Sequence, residues 1–176
     1  MELALNEVKI QAKILLKTLT NDSAVFDSFQ PILARAGVEH SADLKLKHCL
    51  SFISAQLGFR SWQQAIAVLT GKAQSGNTQN MGTLFYPNGV HGITNEWFAS
   101  YDEAKAMITT EPNKRWLFPY KNQYIVVKQD YIAAFKFTDE SKQLLASVGG
   151  DMAASYNTIV WDKVCLAIIK NRAKGY

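Results

Sequence analysis

Cysteine, histidine and proline are scarce in this chain of 176 residues, which holds two Cys, three His and four Pro. Cys49 and Cys165 are too few and too far apart for a disulfide framework, so free thiols and a reducing cytoplasm are expected. His40, His48 and His91 never fall at the helical spacing of a ligand pair, which argues against a metal centre. No run of about eighteen apolar residues is present, and Met1-Glu2-Leu3-Ala4 does not open a basic-then-apolar leader; neither secretion nor membrane spanning is expected. The chain lacks a Gly-x-Ser-x-Gly turn and the Gly-Lys-Ser/Thr ending of a phosphate loop.

Charge is nearly balanced, with a net of +4 whose excess lies at the two ends. Lys9, Lys13 and Lys17 recur every fourth residue and form one row on a helix, while Lys163, Lys170, Arg172 and Lys174 gather near the carboxyl end. Such a row is ordinarily a solvated helix face, because nucleic-acid footprints are more densely basic. What is abundant is apolar: 48% of residues are hydrophobic and 19% charged, enough for a core in one domain or two small ones.

The stretch Leu44 to Leu69 carries the clearest local signals. Leu46, Cys49, Leu50, Ile53 and Leu57 share a helical face, Gly58 stops the helix, and Ser61-Trp62-Gln63-Gln64 reads as a capping box opening the next. Phe59 and Trp62 are expected to plug the corner between them.

This motif, a long helix closed by Leu57-Gly58-Phe59-Arg60-Ser61-Trp62, resembles the helical module at the start of bacterial proteins described as glyoxalase-related. Lys9-x-x-Ala12-Lys13-x-x-Leu16 is similar to the helix that precedes the motif in that family. Ser54 stands where the family usually has alanine, and an extra piece with Pro31 separates the two motifs. The resemblance implies a bacterial protein and covers residues 1–70. It transfers no catalytic residue, since the matching positions are caps and core. Glyoxalase activity is not implied: a metal-dependent glyoxalase needs several His and Glu ligands on sheet strands, and only His91 lies near an expected strand.

Taken in order, Leu5 to Leu19 predicts a helix buried through Val8, Ala12, Leu15, Leu16 and Leu19. Ala24 to Phe29 and Pro31 to Ala36 predict two short helices meeting at Pro31, and Ser41 is expected to cap the central helix. Residues 71–82 are polar and glycine-bearing, so they read as a linker or loop. Composition then changes: of twenty aromatic residues, fifteen follow Gly71.

Beyond that point, Thr83 to Tyr86 and Val90 to Ile93 read as strands around the turn Pro87-Asn88-Gly89. Ser100 with Glu103 reads as a capping box, with Ala104, Met107 and Ile108 facing inward and Glu111-Pro112-Asn113 ending the helix. Arg115 to Tyr120 and Gln123 to Lys128 predict a hairpin. Tyr131 to Lys136, with Asp130 as cap, and Thr138 to Ser147 predict short helices, and Met152 to Arg172 a closing helix. The expected fold is α+β: a helical bundle at 1–70, then a small antiparallel sheet covered by helices at 83–176.

Function is expected to be binding, with no cofactor and no catalytic constellation. The best places for a site are Tyr86 and His91 around the proline turn, and the aromatic row of Trp116, Phe118 and Tyr120 with Arg115 beside it. Alternation puts Trp116, Phe118 and Tyr120 on one strand face, either an interface rich in Trp and Tyr or the underside of the sheet, covered by the closing helix. An unidentified protein partner or a second copy of the chain is the leading expectation. Nucleic-acid binding through Lys9, Lys13, Lys17, Lys170, Arg172 and the aromatic strand is the alternative. A small enzyme pairing His91 with Asp102 or Tyr86 is the third reading.

Overall fold

Apolar residues three and four apart drive the first half into helices, as their spacing predicts. The computed structural model describes residues 2–73, 80–111 and 114–172. Gln74 to Gln79 of the expected linker, Pro112-Asn113 of the helix breaker and Lys174 of the basic end lie outside them. Helix α1 (Leu3–Asn21) buries Val8, Ala12, Leu15 and Leu19, with Leu16 half-buried. Helix α2 (Ser23–Leu33) is capped by Asp22, which accepts from Val25 N, and runs unbroken through Pro31. The two helices expected to meet at Pro31 are therefore one, followed by a 3₁₀ turn at Ala34–Ala36. The proline sits near the carboxyl end and α2 is short, so one missing hydrogen bond does not break it.

Helix α3 (Leu46–Gln56) begins after a separate 3₁₀ turn at Ser41–Asp43, so Ser41 does not cap it. His48 closes its start instead: Nδ1 accepts from Lys45 N at 3.1 Å, and burial, then Lys47 and Lys45, lower its pKa. At the other end Gly58 adopts φ 88°, and Phe59 N donates to Ser54 O at 2.9 Å, the closure expected of Gly-Phe at a helix end. Helix α4 (Trp62–Leu69) opens on Ser61, which accepts from Gln64 N at 3.1 Å, while Gln64 Oε1 accepts from Arg60 N at 2.6 Å.

The second half is built on a three-stranded antiparallel sheet of β1 (Glu96–Phe98), β2 (Trp116–Tyr120) and β3 (Gln123–Val127), in the order β1-β3-β2. The β2–β3 hairpin is the one expected, with Trp116 opposite Val127 and Tyr120 opposite Gln123. Helix α5 (Tyr101–Thr110) covers one face through Ala104 and Ile108, which pack with Leu117 and Val126. Ser100 precedes α5 but its side chain makes no capping bond. Helix α6 (Gln129–Ala134) carries Asp130 in its first turn, with Lys128 in the cap position expected for the acid, and α7 (Asp139–Ser147) is capped by Thr138. Helix α8 (Ile159–Arg172) starts seven residues later than the expected Met152. Asp151 opens a turn there by accepting from Ala154 N at 2.9 Å, and Asn157 takes φ 61°, which a helix does not admit.

Residues 83–86 and 90–93 form turns, not strands, and the third strand is Glu96–Phe98. The backbone groups of this segment bond to partners outside any ladder. Thr83 N donates to Gly58 O at 2.9 Å, Leu84 O and Tyr86 O accept from Arg172, and Phe85 O accepts from the Tyr131 hydroxyl at 2.8 Å. Buried backbone satisfied in this way needs no strand neighbour.

One apolar core runs through both halves, from Ala4, Val8 and Ile53 to Phe85, Phe118, Trp161 and Ile168. Helices α1 and α8 pack directly on each other. The change of composition after Gly71 separates two kinds of secondary structure that share this core.

Candidate functional site: an aromatic cluster at the open sheet edge

The register of the sheet puts Trp97 opposite Ile125, which lies opposite Phe118, so all three share the face that looks toward the main core. Phe118 and Ile125 are fully buried there, but Trp97 stands on the edge strand and stays 44% exposed. Its ring meets Tyr120 at 4.9 Å between centroids and Tyr86 at 6.1 Å. Tyr86 also meets Tyr120 at 5.4 Å and His91 at 5.8 Å, in edge-to-face contacts. Lys121 Nζ stands 5.2 Å over the Tyr120 ring. The turn at Pro87-Asn88-Gly89 brings His91 back beside Tyr86, as the composition of that turn predicts.

Rigidity comes from beneath. Tyr131, fully buried, touches Tyr86 at 6.2 Å and fixes the preceding carbonyl with its hydroxyl, and burial raises its pKa. Tyr86 is thus held at its own carbonyl by Arg172 and at its ring by Tyr131.

The strand carrying Trp97 is also an open edge. The far side of β2 is closed by the chain at Gly150 to Met152, since Leu117 N donates to Gly150 O at 2.9 Å and Met152 N to Leu117 O at 3.0 Å. Among the described residues, the backbone of Glu96 to Phe98 has no partner besides β3. An exposed indole beside unpaired strand amides and carbonyls is the composition of an interface centre, with the template for an added strand next to it.

The expected site residues therefore divide. Tyr86, His91 and Tyr120, drawn from two separate stretches, meet in one cluster. Phe118 is 0% exposed and packs on Phe85 and Phe135, so the row Trp116, Phe118, Tyr120 is no open surface but the underside of the sheet. Trp116 is half-buried by Ile132 and Leu145 around a separate cleft. Arg115 pairs with Glu96 at 2.6 Å and Glu111 at 3.1 Å, tying β1 to the end of α5; the Arg115 hydrogen bond holds the Glu111 carboxyl below the usual range. Trp97 is not marked by the sequence, because a single Trp in Asn95-Glu96-Trp97-Phe98 carries no alternating pattern long enough to announce a strand.

The lysine row lies elsewhere. Lys13 and Lys17 are exposed and Lys9 half-buried on α1, a helix packed on α2, α3, α4 and α8. Lys170 is exposed on α8, and Arg172 spends its guanidinium on backbone carbonyls.

A cleft of about 650 Å³ lies at the start of α5 and is lined by Tyr101, Glu103, Lys121 and Tyr124. Beside it the buried Asp151 carboxylate accepts from the Tyr101 hydroxyl at 2.9 Å and Lys105 Nζ at 2.7 Å; burial first, then this bond, pushes the Tyr101 pKa up to about 12. His91, Tyr86 and Asp102 line neither this cleft nor the pocket at the end of α8. Among the described residues, no three His, Cys, Asp or Glu side chains are grouped to hold a metal ion, and no helix is long and apolar enough to cross a membrane.

No family model, curated protein or solved structure matches this chain in the comparisons made with known proteins. The likeness of the first helices to the glyoxalase-related module rests on their sequence motif alone.

Proposed function

We propose that this protein is a non-catalytic interaction module that docks an extended segment of a protein partner, either another protein or a second copy of itself, along β1. The observation that carries this reading is Trp97: 44% exposed, packed on Tyr120 and Tyr86, and seated on a strand whose outer edge has no partner among the described residues. A large aromatic side chain held rigidly by its neighbours loses little conformational entropy on binding, which suits it as an anchor. The edge supplies main-chain hydrogen bonds, and the aromatic cluster supplies buried area and selectivity. Lys121 beside Tyr120 favours a partner segment with a carboxylate near its aromatic or apolar anchor.

The test combines sedimentation velocity over a range of protein concentrations with binding to a display library of extended peptides. A dimer or a selected peptide that is lost in Trp97→Lys, while the far-ultraviolet circular dichroism is unchanged, supports the module. A protein that is monomeric throughout and selects no peptide sensitive to Trp97→Lys refutes it. Binding of single-stranded oligonucleotides that weakens steeply with salt and depends on Lys9, Lys13 and Lys17 instead favours the nucleic-acid reading.

A further inference from the structure

A guanidinium that is withdrawn from water is ordinarily matched by a carboxylate, because a buried unpaired charge is costly. Arg172, half-buried at the end of α8, has no such match among the described residues. Its three hydrogen bonds go to neutral carbonyls: Leu57 O at 3.4 Å, Leu84 O at 2.7 Å and Tyr86 O at 3.0 Å. Those bonds position the group and leave its charge whole. Two of the five N–H donors that a guanidinium carries are without an acceptor among the described residues. Burial lowers the Arg172 pKa, the direction expected of a cation short of compensation.

The same side chain lines a pocket of about 290 Å³ between the ends of α3, α6 and α8 and the turn at Pro87. Its polar lining is one-sided in charge. Lys136 joins Arg172, the neutral amides Gln11, Gln56, Asn88 and Asn171 supply the rest, and among the described residues no carboxylate lines it. Glu7, an acid bonded to that lining, accepts from Gln11 Nε2 at 2.5 Å. Lys136 makes no ion pair among the described residues and holds φ 53°, a conformation costly for any residue but glycine, which Asn171 braces by donating to the carbonyls of Phe135 and Lys136 at 3.1 Å each. Strain retained beside a half-buried cation that no described carboxylate pairs is a mark of a site. The remaining wall is apolar, from Ile53, Phe135 and Ile168. A cleft of this size, with convergent polar groups on one side and an apolar wall on the other, fits a small ligand.

We propose that this pocket binds a small organic monocarboxylate, its carboxylate facing Arg172 and Lys136 and its apolar body against Ile53, Phe135 and Ile168. The amides of Gln56 and Asn88 sit at the mouth and complete the hydrogen bonding. A dianion such as phosphate is less suited, since it would leave the apolar wall uncovered. The site is separate from the edge of β1, although the turn at Pro87 to Gly89 borders both, so it stands whether or not the proposed docking at Trp97 does.

The test uses the full chain with sodium benzoate and sodium hexanoate as probes, benzamide as the neutral control, inorganic phosphate as the competing anion, and ionic strength held constant. Thermal unfolding and the side-chain amide resonances of Gln56 and Asn171 are followed. The carboxylates are expected to raise the midpoint and shift both resonances, while benzamide and phosphate do neither. Arg172→Gln removes the bonds that hold residues 84–86 and can unfold the protein, so two gentler variants decide. Asn88→Asp, in an exposed turn that accepts aspartate as readily as asparagine, places a negative charge at the mouth and should weaken benzoate at least about tenfold. Lys136→Gly suits the positive φ and should weaken it about threefold while the unliganded fold is kept. Equal responses to benzoate and benzamide, unchanged affinity in Asn88→Asp, a response to phosphate alone, or no response to either carboxylate each overturn the proposal; the last would leave Arg172 as a staple of the 84–86 segment only.

Discussion

The Asp162 carboxylate and the backbone of Ala4, 158 positions apart in the chain, share a hydrogen bond of 2.9 Å. The other oxygen of Asp162 accepts from Leu3 N, also at 2.9 Å. Glu2, in the cap position of α1, makes no capping bond, so the acid that satisfies the first amides of this helix comes from α8. A carboxylate there also meets the positive end of the helix dipole. The start of the chain is thereby fixed to its last helix, which is one reason the two halves share a core.

Asp162 is 1% exposed, and its removal leaves two amides without an acceptor. Asp162→Ala is expected to lower the unfolding free energy by about 2–4 kcal/mol, and Asp162→Asn by about half as much because one oxygen remains. Urea unfolding followed by circular dichroism measures both. An unchanged midpoint in Asp162→Ala would show that α1 needs no cap from α8.

Gly58 is where α3 ends and the 81–86 segment passes over it. Its φ of 88° is strained for other residues, and a β-carbon there would strike Thr83 Oγ1 and come within 3.0 Å of the Thr83 carbonyl carbon. Gly58→Ala should cost about 2 kcal/mol or more, exceeding the penalty for positive φ alone. A loss no greater than about 1 kcal/mol in chemical denaturation would mean that the Thr83 segment moves aside freely.

Tyr131→Phe deletes one hydroxyl and leaves Phe85 O in the core without its donor. The expected loss is about 1–3 kcal/mol. The same variant should loosen Tyr86, seen as faster amide hydrogen exchange at Phe85 and Tyr86 than at α1.

Alkaline pH acts through Tyr101. Its hydroxyl is raised from 10.0 to about 12 by burial and by the Asp151 carboxylate, so the folded state holds this proton more tightly than the unfolded state does. The resulting stabilisation is fully present below pH 10 and is lost as pH rises toward about 12. Tyr101→Phe should therefore flatten the fall of stability over that window, measured by urea midpoints at stepped pH. An identical slope in both proteins would place the alkaline sensitivity elsewhere.

Burial pushes the Cys49 thiol up to about 11 and the Cys165 thiol well above its ordinary value. Neither is exposed. Both should resist a thiol reagent at neutral pH until the chain unfolds globally, so that labelling rate tracks urea concentration. Rapid labelling of Cys49 in the native state would reveal local opening of α3.

Signals confined to a few neighbouring residues were legible in the sequence. The Gly58-Phe59 closure, the Ser61 cap, the inward faces of α1 and α5 and the β2–β3 hairpin each depend on spacing within one or two turns. Misreadings arose where a distant group took over a local role. Thr83 to Tyr86 has strand composition, but Arg172, Tyr131 and Gly58 bond its backbone first. Ser100 and Glu103 have the residues of a capping box without forming one. For the aromatic cluster, Tyr86, His91 and Tyr120 could be singled out as aromatics near turns, while Trp97 had no local pattern to mark it.

The sequence by itself determined which segments coil, where α3 and α4 stop and start, and that the second half is aromatic and partly sheet, because hydrophobic period, glycine and capping side chains act over a few residues. Only the tertiary structure decided that Trp97 joins Tyr86 and Tyr120 at an open edge while Phe118 faces the core, and that Arg172 holds carbonyls beside a pocket. Alternation along a strand says that two faces differ and not which one will be covered. A cation's partners are likewise set by which distant backbone arrives next to it once the chain has packed.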